Sequence, residues 1–408
     1  MPLENKTIHL FLAIATLTVS LSTPAIASAE AATGGEVTIH TDFPGGNVVV
    51  SRNDGSAVHV APDPRGDSPW FYWYFEAKAA KPGRVNFVFP EQVAGFKNGA
   101  IGFQGPAISM DLGKTWKWMG TESVAGSSFY FDFAKTDEPV RFAVTIPYLQ
   151  QELDAILDKN AGNSHLKTSI LTKSRHGRNV ELLQIGEPGP DVKPVLVTGR
   201  HHATETIASY VLDGFLQEAM SDSPAGEEFR KKYVLYAVPF VDKDGVEEGD
   251  QGKNRKPHDH NRDYGEASIY PEIQAIKELD KAHRFQLTLD FHCPTLVMQD
   301  HQVMYFVGAK EHPQHNFENV SELASWIKKG LPENAPHGPL VWLRSATEPT
   351  PMNSHYFGFK ADAIMAATLE IPFAPPGKAT DPASCRQYGQ VILQAWVNTH
   401  FRQADEAD

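Results

Sequence analysis

From residue 150 onward, apolar runs alternate with stretches of helical periodicity, and this alternation limits the fold more than any other feature of the chain. Residues 195–198, 233–239, 287–291 and 363–371 are apolar at almost every position rather than at every second one, and residues 180–185 read as a further strand. A strand of that kind must be covered on both faces, as in a parallel sheet between layers of helix. The intervening stretches supply the layers. Residues 206–220 carry Ile207, Val211, Phe215 and Met220 at helical spacing, and 271–283, 316–329 and 384–401 also read as helices, with another opening at 149–157. Residues 148–405 are therefore expected to form an α/β domain with a mixed, mainly parallel sheet covered by helices.

Residues 35–147 follow a different rule. Short apolar runs at 37–39, 47–50, 71–75, 84–89 and 128–133 are bounded by Gly, Pro, Asp or Asn, and no long helical period intervenes. That predicts an all-β sandwich ahead of the α/β domain. The most aromatic run, Trp70-Phe71-Tyr72-Trp73-Tyr74-Phe75, suits a strand packed on both faces better than a platform for sugars or peptides. Gly113-Lys114-Thr115 has the end of a phosphate loop, but position 108, where its first glycine belongs, is Ile108.

The formal net charge of −13 argues against a nucleic-acid partner, which would call for a basic face. Lys6, the apolar stretch 8–21 and Ala27-Ser28-Ala29 have the layout of a secretory signal over residues 1–29, so an exported protein, periplasmic or extracellular, is expected. No later run is long enough to cross a membrane. Two cysteines, Cys293 and Cys385, are too few for a disulfide framework, and the sequence leaves open whether they pair.

Against this apolar background, four polar groups stand at positions that packing alone does not explain. His202 and Glu205 follow the strand at 195–198 through a glycine turn, placing an imidazole and a carboxylate at the carboxyl edge of the sheet, where open α/β proteins bind ligands. They form half of a zinc site, and catalytic zinc needs a third protein ligand. His292 ends the strand at 287–291 and suits that requirement. Glu370 is a carboxylate inside an apolar strand, an expensive placement unless the group is paired or acts as a general base with a raised pKa. The loop Asn254 to Tyr264 is polar and cationic in an otherwise acidic chain. There Asn261 with Arg262 would hold a carboxylate, and Arg255 could face a developing oxyanion.

The order of these motifs resembles that of the zinc carboxypeptidases of the funnel-shaped metallocarboxypeptidase fold. The similarity rests on His202-x-x-Glu205, Asp259-x-Asn261-Arg262, strand-end His292 and late-strand Glu370. More loosely, residues 70–72, 111–116 and 142–148 are similar to the β-sandwich of the cytosolic-carboxypeptidase branch. The resemblance implies that His202, Glu205 and His292 hold one Zn²⁺ and that Glu370 is the base. It also implies that Arg255 stabilises the oxyanion, that Asn261 and Arg262 grip the terminal carboxylate, and that Asp259 orients the first ligand histidine. The substrate implied is a peptide or muropeptide with a free C-terminal carboxylate, with neither nucleic acid nor, once the leader is removed, membrane as partner. Nothing in the sequence fixes an oligomeric state.

Several positions depart from the family. Thr204 stands where many digestive members carry arginine, Asp263-Tyr264 follows the Asn-Arg pair, and Cys293-Pro294 follows the strand-end histidine. Specificity is expected from residues 343–360, with Arg344, Glu348 and Lys360. Two other chemistries fit the same residues: deacylation of N-acyl amino acids of the aspartoacylase or succinylglutamate desuccinylase type, and trimming of peptidoglycan stem peptides. A module that binds through the aromatic sandwich would have no need of Glu370.

Overall fold

The runs that read as doubly covered strands are neighbours in one seven-stranded sheet. A computed structural model describes residues 37–66, 70–296, 302–308, 312–336 and 351–403. The expected leader at 1–29, together with Arg344 and Glu348, lies outside the described residues. The sheet runs Leu166–Lys173, Asn179–Ile185, Tyr233–Val238, Lys193–Gly199, Leu287–His292, Met365–Glu370 and Tyr305–Val307. Its four central strands are parallel, and the other pairings are antiparallel. The register aligns Gly199 with Phe291 and His292 with Glu370. Three strands thus finish side by side, and the polar residues that end them meet in one crevice.

Helices close both faces, and two glycines set how tightly they pack. A Cβ on Gly214 in Thr206–Met220 would lie 1.9 Å from the Arg386 carbonyl oxygen of Pro382–Asn398. A Cβ on Gly389 would lie 1.9 Å from the Val211 carbonyl oxygen. Any side chain at either position would push the two helices apart, which explains why glycines interrupt otherwise good helical sequence. Elements absent from the sequence reading are short or lie at edges: the exposed strand Leu166–Lys173, Tyr305–Val307, and the helices Pro224–Lys232, Lys243–Glu248 and Asn353–Gly358. Hydrophobic periodicity is weak in such pieces because little of each is buried, or because too few residues show the period.

The N-terminal part folds as two five-stranded sheets. Trp73, Phe75, Phe87, Phe129 and Phe142 fill the space between them, with ring centroids 5.0–5.9 Å apart. Every residue from Trp70 to Phe75 is buried, so the run is core and presents no stacking platform. Residues 31–408 form one compact unit. The contacts that join the sandwich to the rest are specific. Phe71 and Tyr72 each donate a backbone N–H to Gln251 Oε1 at 3.0 Å. Asn47 donates to the Gly249 carbonyl at 2.9 Å, and Gln104 to the carbonyls of Pro375 and Lys378 at 3.0 and 3.1 Å. The sandwich therefore grips the two loops that flank the crevice. Cys293 and Cys385 are free, buried thiols, and among the described residues no helix is long and apolar enough to cross a membrane.

Candidate active site

The first polar pair owes its position to a buried arginine. Arg200 follows the strand Lys193–Gly199 with φ at 59°, a conformation that turns the chain sharply. Its guanidinium is buried, donating to the Ala203 carbonyl at 2.9 Å and to the Tyr148 carbonyl at 2.7 Å. That closes the turn and brings His202 beside Glu205, which caps the helix Thr206–Met220. The sequence reading gave Arg200 no role. An arginine next to a turn glycine was the available signal.

His202, Glu205 and His292 then converge. The Nδ1 atoms of His202 and His292 are 3.2 Å apart, and Glu205 Oε1 is 2.8 Å from His202 Nδ1. All three side chains are at most 3% exposed. Glu205 Oε2 lies 2.8 Å from His292 Nδ1 but out of line, so it is left without a hydrogen bond. Two imidazole nitrogens and a carboxylate aimed at one point, with an unsatisfied buried oxygen, fit a cation better than they fit one another. Ligand arms of about 2.0–2.2 Å at tetrahedral angles place donor atoms roughly 3.3 Å apart, close to the spacing seen. Burial would raise the Glu205 pKa, yet the two imidazoles and Lys253 hold it well below the usual range, so a carboxylate is ready to ligate.

Behind the ligands runs a buried chain of polar groups. Asp290 Oδ2 lies 2.6 Å from His292 Nε2, and its Oδ1 accepts from Thr198 at 2.8 Å and meets His201 Nδ1 at 2.9 Å. His201 Nε2 is 2.8 Å from the Tyr264 hydroxyl, to which Asn353 donates at 2.9 Å, and the Asn353 N–H donates to Asn261 Oδ1 at 3.1 Å. Although His201, Asp290 and His292 lie close enough to hold a metal, Asp290 faces the far nitrogen of His292. That contact suits a carboxylate that would hold His292 in one tautomer were the residue to ligate a metal through Nδ1. Asp259 has a looser hold: its Oδ1 lies 3.7 Å from His202 Nε2, beyond hydrogen-bond reach.

Glu370 is the register partner of His292 on one side and of Tyr305 on the other. The residue is partly exposed, but its carboxylate Oε2 is buried and without a hydrogen bond. Burial, together with the nearby Glu205 charge, pushes its pKa above the usual glutamate value despite Lys253 and His292. Asn261 and Arg262 sit on a short 3-10 turn, His260–Arg262. Asn261 Oδ1 is engaged by Asn353, which turns its amide NH₂ the other way. Among the described residues, no carboxylate lies within ion-pair distance of the half-buried Arg262 guanidinium, which donates to the Asn261 carbonyl at 3.2 Å.

Two expectations need correction. Arg255 does not face the crevice: it donates to Asp242 at 3.1 Å and Asp250 at 2.8 Å, and it lines a separate cavity with Arg175, His176 and Glu272. Two carboxylates outcompete any other position for that guanidinium. The cation beside the ligands is Lys253, whose Nζ is 3.6 Å from Glu205 Oε1. Lys360, expected in a specificity segment, donates instead to Asp280 at 2.7 Å and to the Phe285 carbonyl at 2.9 Å. Of the other loop histidines, His258 is tied to Asp263 at 2.6 Å and His260 stacks on Tyr270 at 3.7 Å, so neither joins the ligands.

The zinc carboxypeptidase family model matches residues 150–336. Cytosolic carboxypeptidase 2 of Xenopus tropicalis is 30% identical over 217 residues, covering 48% of this chain and 22% of that protein. Cytosolic carboxypeptidase 6 of Caenorhabditis elegans is 25% identical over 246 residues, covering 54% and 52%. The chain thus spans about a fifth to a half of the length of these relatives. Among solved structures, a metallo-carboxypeptidase from Burkholderia cenocepacia superposes with a TM-score of 0.75 at 18% identity, covering 89% of this chain and 98% of that one. One from Pseudomonas aeruginosa, in complex with (2-guanidinoethylmercapto)succinic acid, gives 0.74 at 20% identity, covering 88% and 98%. At these identities the superpositions establish the fold, sandwich included.

Proposed function

We propose, from the match of the zinc carboxypeptidase family model to residues 150–336, that the chain is an exported carboxypeptidase that removes C-terminal residues from peptides. The observation that carries the reading is the convergence of His202 Nδ1, Glu205 and His292 Nδ1 one strand away from Glu370. His202, Glu205 and His292 would hold a single zinc ion, which when bound lowers the pKa of a water to about 7 and polarises a carbonyl.

The chain's own residues supply the rest. Arg262 and the free amide of Asn261 would clamp the terminal carboxylate with planar, charge-assisted hydrogen bonds, which confines cleavage to the last peptide bond. Glu370, with its raised pKa, takes a proton from the attacking water and passes it to the departing amine. Asp290 holds His292 with its far nitrogen protonated and its near nitrogen free to ligate. Peptides or muropeptides with a free C-terminus fit this grip, and the leader-like residues 1–29 favour export to the periplasm or beyond.

The test is mass spectrometry of a peptide library incubated with the mature protein, with and without chelator, beside C-terminally amidated controls. Loss of single residues that needs both metal and a free carboxylate is expected. No trimming by a zinc-loaded preparation would refute the peptidase reading and turn attention to N-acyl amino acids. N-terminal sequencing of the exported protein checks the leader, since an intact Met1 in the culture fraction would exclude cleavage after Ala29.

A further inference from the structure

We infer that Lys253, rather than Arg255, supplies the cation that meets the oxyanion formed at the scissile carbonyl. The inference rests on the peptidase reading above and adds to it a residue that the order of motifs did not identify. The first observation is position. Lys253 Nζ lies 3.6 Å from Glu205 Oε1, and its side chain is 31% exposed where Glu205 is 1% exposed. The Lys253 side chain is therefore the part of this contact that reaches the open side of the ligand cluster, from which a substrate would approach.

The second is the charges that surround it. Lys253 feels Glu205, Glu370 and Asp259 as anions and Arg262 as a cation. Its charged neighbours thus include both Glu370 and Arg262. A substrate whose terminal carboxylate is held by Arg262 has its scissile carbonyl one residue inward, on the order of 4 Å away. A carbonyl at that distance from Arg262 would come within reach of the long, flexible Lys253 side chain.

The third is anchorage. Gly252, at φ +77°, packs so closely on the ligand turn that a Cβ there would lie 2.3 Å from the Ala203 nitrogen. The Thr204 N–H donates to the Gln251 carbonyl at 3.1 Å, while the Gln251 side chain is held by the sandwich through Phe71 and Tyr72. The backbone that carries Lys253 is thus fixed on both sides, which preorganises a flexible side chain. Arg255, by contrast, has its guanidinium occupied by Asp242 and Asp250.

In the step itself, the water oxygen bonds to the carbonyl carbon and one water proton goes to Glu370. The π pair moves onto the carbonyl oxygen, and Lys253 donates an N–H to that anion. On collapse the oxygen lone pair restores the C=O bond, the C–N bond breaks, and the amine nitrogen takes the proton from Glu370.

The experiment compares K253M, K253R, K253Q and R255M with the unaltered full-length protein. Zinc content and circular dichroism are measured first, then kcat and KM, then calorimetric affinity for a phosphinic peptide, which mimics the tetrahedral anion, and for a free product amino acid. K253M is expected to keep its zinc, to lose about 10²–10³-fold in kcat and a similar factor in phosphinic-peptide affinity, and to bind product as before. K253R should recover part of the loss, and R255M should cost less than tenfold in kcat. If K253M does not fold, K253Q, which keeps the stem and a polar tip, carries the same expectation. The inference is overturned if the Lys253 variants keep kcat within threefold, if they lose zinc, or if phosphinic-peptide and product affinity fall together. An unaltered protein that trims no peptide but binds the phosphinic peptide in a Lys253-dependent way sinks the peptidase reading and leaves this one standing.

Discussion

Replacing Asp290 with Asn leaves the number of heavy atoms in the core unchanged, yet it should cost the protein much of its metal affinity. Asp290 accepts three hydrogen bonds, from Thr198 and His201 at Oδ1 and from His292 at Oδ2, at 2.8, 2.9 and 2.6 Å. Burial alone would raise its pKa, but the two imidazoles hold it well below the usual range, so it is an anion in the fold. In D290N, Oδ1 can keep Thr198 and His201, but an NH₂ group then faces the N–H of His292. The conflict is relieved if His292 moves its proton to Nδ1, the nitrogen that faces His202 and Glu205, and a protonated nitrogen cannot ligate. The opposite amide orientation passes the same conflict to His201. Changes behind a ligand histidine typically cost about 10–100-fold in metal affinity. That corresponds to about 1.4–2.7 kcal/mol. Competition against a chromophoric chelator measures it directly, with the melting temperature of the metal-free protein as a control. A zinc Kd within threefold of the unaltered protein, accompanied by a lower melting temperature, would show that Asp290 serves the core alone and would refute the tautomer argument.

Four further outcomes follow from the same geometry. E370Q should lower kcat by roughly 10²–10⁴-fold at unchanged zinc content. In the unaltered protein kcat/KM should rise with pH through a value above the ordinary glutamate pKa of about 4.3, because the base must be ionised and its pKa is raised; an acid limb at the ordinary value would contradict the burial argument. R262A should raise KM about 10–100-fold for peptides with a free C-terminus, the equivalent of one charged hydrogen-bond pair of about 1.5–3 kcal/mol. Equal losses on free and amidated peptides would rule out a carboxylate grip. Q251A leaves the buried N–H groups of Phe71 and Tyr72 without their acceptor and should lower stability by roughly 2–4 kcal/mol in a denaturant titration; an unchanged midpoint would mean that the sandwich docks by apolar contact alone.

The sequence by itself determined the elements that are long, doubly buried or rich in one residue type. The runs at 195–198, 233–239 and 287–291 had to be central strands because nothing else hides apolar residues on both faces. His292 and Glu370 stood out because a polar group in an apolar run needs a reason, and His202 and Glu205 because they follow a strand through a glycine turn. The aromatic run 70–75 was legible as core on the same grounds.

Which cation faces the crevice was decided only by tertiary structure. Lys253 and Arg255 are two residues apart in one polar loop, and nothing local tells them apart. Asp242 and Asp250, brought near by the helix Lys243–Glu248, draw Arg255 to one side, while Gly252 and Gln251, pressed between the ligand turn and the sandwich, set Lys253 on the other. Asp290 and His201 were hidden for a related reason. Each sits beside a ligand in sequence, but the role of each depends on which ring nitrogen meets which oxygen. Local pattern reports burial and periodicity, whereas the partner of a charged side chain is settled by whichever opposite charge the rest of the fold brings within a few ångströms.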